Sequence, residues 1–520
     1  MRLLGQVCSV HPHIVAPVPD AAGTRVRGTG APGLDWRAMP APRPNDDAVP
    51  PVPVLHVLTV PLAELGVPTA PDLRDLLAGS GLLAWTVDGQ GLVGHGRAAG
   101  HAVRGPDRFT AARVWWDDLA AAAVVEDRVG VPGSGLAAFG AFSFAAESGA
   151  DSGLVVPELV VGRRDDDAWA SLAVAAAPGT PFTLSAEDVA AAWVRHHGAA
   201  PGAAVAAAPA AAPGPVHLSP GALDEAAWTQ AVREGVELIR AGGLEKLVLA
   251  RDVLARTAGP LDPVAVVRDL AHRYERCWTY CVDLGSGAGR LLGATPEMLV
   301  RVLDGTARAR VLAGTLDRDA VPAGEDPQRF AARVLGESEK QQHEHGFAID
   351  SLVASLAPYT EVVTTSPEPF ILELPNVWHL ASDVTAVLRP GPAGDPPSSL
   401  ELAEAVHPTA AVCGTPTAEA AALIPELERM DRGLYAGPVG WLDAAGNGDW
   451  GIALRGAVQQ DERTVRLFAG CGIVGASDPE AELAETWAKL RPMLQALGLG
   501  ADPAGAAPGA GAAAPRRPGR

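Results

Sequence analysis

The sequence predicts a mixed fold in which helices and hairpin-joined strands are gathered mainly in the second half of the chain, and three observations lead there. Two strong turn signals, Asp304-Gly305 and Gly446-Asn447-Gly448, each separate a pair of apolar runs and read as hairpins. Residues 225–241, 338–357 and 480–497 carry helical patterns or caps. Apolar residues make up 48% of the 520 and charged residues 20%, a globular balance that rules out full disorder. The length allows two to four domains or one large one.

Residues 1–50 are rich in Pro, Gly and Ala without periodicity and are expected to form a disordered extension. Residues 51–198 follow as an N-terminal part of the fold. Strands are expected at 54–60, Leu82–Val87 and 154–161, with a Gly- and Phe-rich apolar segment at 136–144 and a short helix at 186–196. The Ala, Pro and Gly of 199–218 read as a linker or insert.

The region 219–498 is organised differently. Helix 225–241 places Trp228, Val232, Val236 and Ile239 roughly on one face. Strand 246–251 alternates, so Lys246, Val248 and Ala250 share a face. A strand end at 291–293 leads into a turn at 294–297, and Met298–Leu303 pairs with 307–313 in the first hairpin. Helix 338–357, strand Val377–Leu388 and helix Ser399–Val406 follow. The second hairpin joins 437–443 to 449–457. After strand 465–468, Ser477-Asp478-Pro479-Glu480 opens helix 480–497 with cap donors, Pro in the first turn and acids against the helix dipole. Residues 499–520 read as a disordered tail.

Lys plus Arg number 41 and Asp plus Glu 61, giving a formal charge of −20. This argues against nucleic acid or an anionic membrane as partner, and an anionic substrate would need a local basic pocket or a metal ion. No apolar run reaches the roughly 18 residues of a membrane span. Cys8, Cys277, Cys281, Cys413 and Cys471 form an odd, sparse set, expected to be reduced thiols of a cytoplasmic protein. A monomer is expected, since no apolar heptad is visible. Of the basic residues only Lys246, Lys340 and Lys489 are lysine. Where arginine has replaced lysine so widely, the survivors mark places where a guanidinium fails, because lysine can lose its proton and arginine cannot. Chance survival at surface positions is the plainer alternative.

Several groupings carry possible chemistry, each beside a plainer reading. Glu482, Glu485 and Lys489 share one helix face, as do Lys340 and Glu344. Two helices that each offer a carboxylate suit magnesium, which takes oxygen ligands, waters and a substrate oxyanion; a solvated ion-paired surface would look the same. Gly470-Cys471-Gly472 permits close backbone approach, or is only a tight turn. Glu297 follows a strand in a turn, where carboxylates are often exposed. Arg455 ends an apolar run and suits bidentate carboxylate binding or a rim ion pair. His407-Pro408-Thr409 reads as a turn. No Walker loop, nucleophile elbow or dinucleotide fingerprint appears.

Read in order, residues 245–251 (EKLVLAR), 293–297 (GATPE), 312–315 (LAGT), 338–345 (SEKQQHEH), 407–416 (HPTAAVCGTP), 435–441 (YAGPVGW), 452–455 (IALR), 468–474 (FAGCGIV) and 477–489 resemble the chorismate-binding enzymes, and within them isochorismate synthase. The resemblance covers about 219–497. It implies an α+β fold, a sandwich of large antiparallel sheets with helices outside. It implies magnesium-dependent conversion of chorismate to isochorismate for menaquinone, siderophore or salicylate synthesis. Lys246 would be the base that activates water and Glu297 the acid that protonates the departing hydroxyl. Glu344 and Glu485 would hold magnesium, with Glu482 assisting. Gly314, Thr315, His407, Ala411, Tyr435, Arg455, Gly470 and Lys489 would line or bind the substrate.

The implied chemistry is consistent with the residues. Chorismate is a dianion, and magnesium, Arg455 and Lys489 would supply local positive charge in an acidic chain. Addition of water at one ring carbon and loss of hydroxide from another need a base and an acid. The sequence departs from the family pattern at Ala410, where proline is frequent, at Cys471, where a small alanine is usual, and at Gln341, where several salicylate-forming relatives have glutamate. The rivals are salicylate synthase, the amine-forming branches, which often carry threonine near Ala411, and a non-catalytic chorismate-binding relative. Alanine at 411 favours water as nucleophile.

Overall fold

The computed structural model describes residues 54–499 except 80, 177–182, 204–213, 288, 323, 374–376 and 392–393; the side chains of Ala313, Thr315, Asp317, Asp319, Glu339, Lys340, His343, Glu344 and Val377 lie outside the described set. The extension expected over 1–50, nearly all of the tail and the middle of the 199–218 linker also lie outside it.

The fold is α+β. Among the described residues it has one sheet of 13 strands and one of 10. The first runs from Val216–Pro220 through Lys246–Thr257, Thr464–Ile473, Gly456–Gln459, Arg290–Thr295 and Trp278–Asp283, then continues into Leu82–Val87, Gln90–His95 and the remaining N-terminal strands. The second runs from Thr360–Thr365 through Val377–Leu388, Thr306–Asp317, Met298–Leu303, Gly448–Ile452 and Pro438–Asp443 to Ala137–Ala141, Ser152–Val156 and Ala99–Val103. Pairing is antiparallel except where Val54–Pro61 meets Val124–Asp127. Both sheets therefore interleave the early and late parts of the chain, as where Thr279 pairs with Thr86 and Val439 with Ala141.

The sheets pack through large apolar side chains. Trp85, Trp278 and Tyr280 of the first meet Phe139, Val439 and Trp441 of the second in one buried cluster. Fully burying a side chain of this kind contributes roughly 1.5–3 kcal/mol or more. Gly451 faces Trp85 so closely that a Cβ there would lie 2.7 Å from the indole, which sets the spacing of the sheets at that point. Helix Glu225–Arg240 covers the outer side of the first sheet, packing Trp228, Val232 and Val236 with Leu247, Leu249 and Ile473. Helices Pro263–Arg273 and Pro479–Ala496 cover a further part through Val266, Leu270, Leu490 and Met493.

Two expected strands and one expected turn prove to be corners between the sheets. The run 154–161 is two strands, Ser152–Val156 in the second sheet and Leu159–Arg164 in the first, with the chain crossing at Pro157-Glu158. The run 449–457 is likewise Gly448–Ile452 in the second sheet and Gly456–Gln459 in the first. The turn expected at 294–297 is the reverse crossing, from Arg290–Thr295 to Met298–Leu303. Continuous apolar runs hide such corners, because burial on both sides persists while the hydrogen-bonding partner changes. The expected linker also ends early: Val216–Pro220 is a strand paired with Lys246–Thr257. Helices Arg108–Ala122 and Thr417–Glu428 were not expected; the second carries Pro425 inside.

Candidate active site

A cavity of about 470 Å³ opens between the end of the first sheet, helix Pro479–Ala496 and the paired corners of the chain. The period-two reading of strand Lys246–Thr257 is realised in its wall. Lys246, Val248 and Ala250 all face the cavity, while Leu247 and Leu249 pack outward under helix Glu225–Arg240. The neighbouring strand Thr464–Ile473 pairs Gly472 with Val248 and Gly470 with Ala250. A Cβ on Gly472 would come within 2.8 Å of the Lys246 side chain, so glycine there leaves room for the lysine stem.

Glu297 and Arg455 stand on adjacent corners that are tied together. The Glu297 carbonyl accepts from Ile452 N–H at 3.1 Å, and the Arg455 carbonyl accepts from Ala294 N–H at 3.4 Å. Arg455 takes the left-handed backbone conformation, φ 50°, at the end of its corner. Glu297 is only 9% exposed. Burial pushes its carboxyl up to about 7, against the opposing pull of Lys246, Lys489 and Arg455. Its backbone N–H donates to Thr295 Oγ1 at 3.2 Å.

The last helix is capped by Asp478, which accepts from Ala481 N–H at 2.9 Å, and it aims Glu482, Glu485 and Lys489 at the cavity. Lys489 Nζ donates to the Gly470 carbonyl at 2.8 Å and pairs with Glu485 at 2.6 Å. Burial pushes the Glu482 carboxyl up, a Ser477 hydrogen bond pulls it down, and the Glu485 charge adds to the rise. Two neighbouring carboxylates that oppose one another, both oxygen donors, fit a hard divalent cation. No group of three or more potential ligands is assembled among the described residues. Glu344 has its backbone on helix Glu339–Leu356, and its side chain lies outside the described set.

Gly314 completes the opposite wall. It sits at a register shift in strand Thr306–Asp317 with φ 66°, and a Cβ there would lie 2.3 Å from the Gln341 amide oxygen. Its carbonyl accepts from Nδ1 of His379 at 3.1 Å. Burial, helped by the Arg455 and Lys489 charges, pushes His379 down to about 3, so the ring is neutral. Tyr435 stacks on Phe468 with ring centroids 5.0 Å apart, and burial raises its phenol, keeping the hydroxyl protonated.

Ten of the residues singled out in the sequence thus line one cavity: Lys246, Glu297, Gly314, Ala411, Tyr435, Arg455, Gly470, Glu482, Glu485 and Lys489. Thr315 and Glu344 are placed only by their backbones. His407 is apart. It lines an adjoining cavity, and its Nε2 lies 3.2 Å from the Phe144 carbonyl. Two lining residues, His379 and Arg432, went unnoticed in the sequence. Glu428 and Arg432 have the i, i+4 spacing of an ordinary surface pair, and only burial distinguishes them.

The sequence profile of the chorismate binding enzymes matches residues 84–498. The chain is 38% identical over 278 residues to isochorismate synthase DhbC of Bacillus subtilis, an overlap of 52% of this chain and 68% of that protein. It is also 38% identical over 278 residues to the salicylate biosynthesis isochorismate synthase of Pseudomonas aeruginosa, covering 53% of this chain and 56% of the relative. The fold matches that of MenF, the menaquinone-specific isochorismate synthase of Escherichia coli, with a TM-score of 0.64 at 24% identity, over 86% of this chain and 95% of the other. Profile, identity and fold agree with the cavity's residues, and the chain belongs to the chorismate-binding enzyme family.

Proposed function

We propose that this protein is an isochorismate synthase. It adds water to chorismate and expels the 4-hydroxyl, with Lys246 as base and Glu297 as acid. The observation that carries the reading is that both residues line one cavity while burial holds the Glu297 carboxyl near 7, where a proton is available to donate. Lys246 stands on the first sheet and Glu297 at a corner leading to the second, so the two reach a bound ring from different walls. Arg455 and Lys489 supply cationic partners for substrate carboxylates, and the Tyr435 hydroxyl supplies a donor.

Magnesium, where bound, would add positive charge beside a substrate carboxylate; Glu485 and Glu344 would hold it, with Glu482 assisting. Ala411 in the cavity wall leaves the nucleophile position small and apolar, which favours water. Four free, buried cysteines, Cys277, Cys281, Cys413 and Cys471, support work in a reducing compartment, the cytoplasm. No described helix is long and apolar enough to cross a membrane.

Incubation of the purified chain with chorismate and magnesium tests this. Isochorismate should accumulate to an equilibrium with chorismate, without pyruvate. EDTA should abolish turnover and excess magnesium restore it. Stoichiometric pyruvate with salicylate would assign the chain to salicylate synthesis, an unconsumed substrate would remove the enzymatic reading, and full activity in metal-free buffer would remove the metal.

A further inference from the structure

A second cavity of about 250 Å³ adjoins the first, and Glu297 and Ala411 line both. Lys246 does not line it. Its other walls come from helix Glu339–Leu356, helix Ser399–Val406 and the turn 407–411. The lining mixes apolar residues, among them Leu299, Leu352 and Ile452, with polar ones, among them Arg310, Ser351, Ser355 and Thr417. His407 Nδ1 and Thr409 Oγ1 are both buried and have no hydrogen-bond partner within the protein.

An orphaned buried polar atom costs roughly 1–3 kcal/mol, and two on one cavity point to a small polar occupant. The tautomer defines it further. His407 Nε2 faces the Phe144 carbonyl, which can only accept, so Nε2 carries the proton and Nδ1 presents a lone pair. Burial pushes this imidazole down to about 3, so Nδ1 stays unprotonated. The occupant must therefore donate to Nδ1 and can exchange a hydrogen bond with the Thr409 hydroxyl. Water does both, and the volume holds several molecules.

We propose that the second cavity is a water antechamber that receives the hydroxyl expelled beside Glu297. The inference rests on the isochorismate synthase reading. In the forward direction the bond from ring carbon 4 to its oxygen breaks, the oxygen takes the electron pair and the Glu297 proton, and a water molecule is left on the Glu297 side. Lys246 meanwhile takes a proton from the attacking water, whose oxygen bonds to the ring. One water enters and one leaves, and the Lys246 proton returns to Glu297 through solvent. With substrate filling the main cavity, the released water needs a second space reached past Glu297, and this cavity supplies it, with Thr409 and His407 as its polar anchor. In the reverse direction the same water is held ready to attack.

The test compares Thr409→Val, Thr409→Ser and Ala405→Leu with the wild-type chain, using chorismate and magnesium. Thr409→Val removes the hydroxyl at nearly constant shape, and the backbone carbonyl of Thr409, which accepts from Val412 and Cys413 N–H, is untouched. Ala405→Leu fills part of the second cavity alone. Both should lower kcat roughly tenfold or more with KM for chorismate kept within about twofold, and Thr409→Ser should restore kcat. Unchanged kcat in Thr409→Val and Ala405→Leu, or failure of serine to rescue, would overturn the antechamber while leaving the enzyme reading intact. An inactive wild-type chain would instead overturn the enzyme reading. Should a variant lose stability, a high-resolution crystal structure of the wild type decides: ordered water between His407 Nδ1 and Thr409 Oγ1 is expected, and a dry cavity would overturn the proposal.

Discussion

Arg432 and Glu428 form an ion pair at 2.6 Å with side chains only 2% and 0% exposed, and every remaining hydrogen bond of the pair reaches backbone around the cavity. Glu428 accepts from Ala250 N–H at 2.7 Å, while Arg432 donates to the carbonyls of Val412 at 2.8 Å and Val248 at 3.0 Å. Strand Lys246–Thr257 is thereby tied to the segment that carries Ala411. Removing one partner leaves a buried charge unpaired. Arg432→Met should cost roughly 3–5 kcal/mol of stability, and Glu428→Gln a smaller but measurable amount. Denaturant titration checks this; a loss below about 1 kcal/mol for Arg432→Met would contradict a paired, ionised state.

The raised carboxyl of Glu297 predicts a pH-dependent stability cost. Its folded value, about 7, lies above the unfolded value near 4.5. The neutral form is favoured in the folded state, so stability is fully present below 4.5 and is lost as pH rises through about 7. Glu297→Gln cannot ionise. It should be more stable than the wild type at pH 8 and equal to it near pH 4, while turning over chorismate poorly. Thermal melts at the two pH values decide, and equal stability at both would show that burial does not hold the proton.

A histidine cluster far from the cavity should weaken the fold in acid. His95 is buried, stacks on His196 with centroids 5.5 Å apart and meets His197 edge-on at 4.6 Å. Burial, reinforced by those two neighbours, holds His95 well below its ordinary 6.5. Burial also lowers His197 to about 4, although its hydrogen bond to Trp193 opposes this. Glu158 pairs with both Arg195 and His196 on the same side. The unfolded chain binds more protons than the folded one between pH 6.5 and about 4, so stability present above 6.5 is lost as pH falls through that window. His95→Phe should flatten the acid limb of Tm against pH. An unaltered limb would assign acid sensitivity elsewhere.

How much of this was legible in the sequence depends on whether the signal is local. Strand alternation put Lys246 on the right face, and the cap at Asp478 set the phase of Glu482, Glu485 and Lys489, because both are period or cap effects within a few residues. The corners at Glu297 and Arg455 were not legible as crossings between sheets. Nothing local marks a change of partner inside an apolar run, so Arg455 reads as the end of a single strand. His379 is set into the cavity by pairing of Val377–Leu388 with the irregular stretch at Gly314, a contact 65 residues long in sequence. Arg432 needed burial to be told from a surface pair. The two cavity lysines were readable for a compositional reason: arginine stands almost everywhere a cation alone suffices.

The lysine assignment is open to one substitution that separates its two possible roles. A base must be neutral for part of its cycle, and free lysine titrates near ~10.4, so the site must lower that value. Arginine keeps the positive charge but cannot give up its proton. If Lys246 only attracts the substrate dianion, Lys246→Arg should retain most activity. If it is the base, kcat should fall by roughly 10²–10⁴ while KM changes little. Because a guanidinium is bulkier than an ammonium, Lys246→Gln, which is shorter and uncharged, removes the base without adding bulk. Both variants should retain the wild-type melt and lose kcat together. A folded Lys246→Arg enzyme with unchanged kcat would remove Lys246 as the base and leave it a cation of the cavity wall.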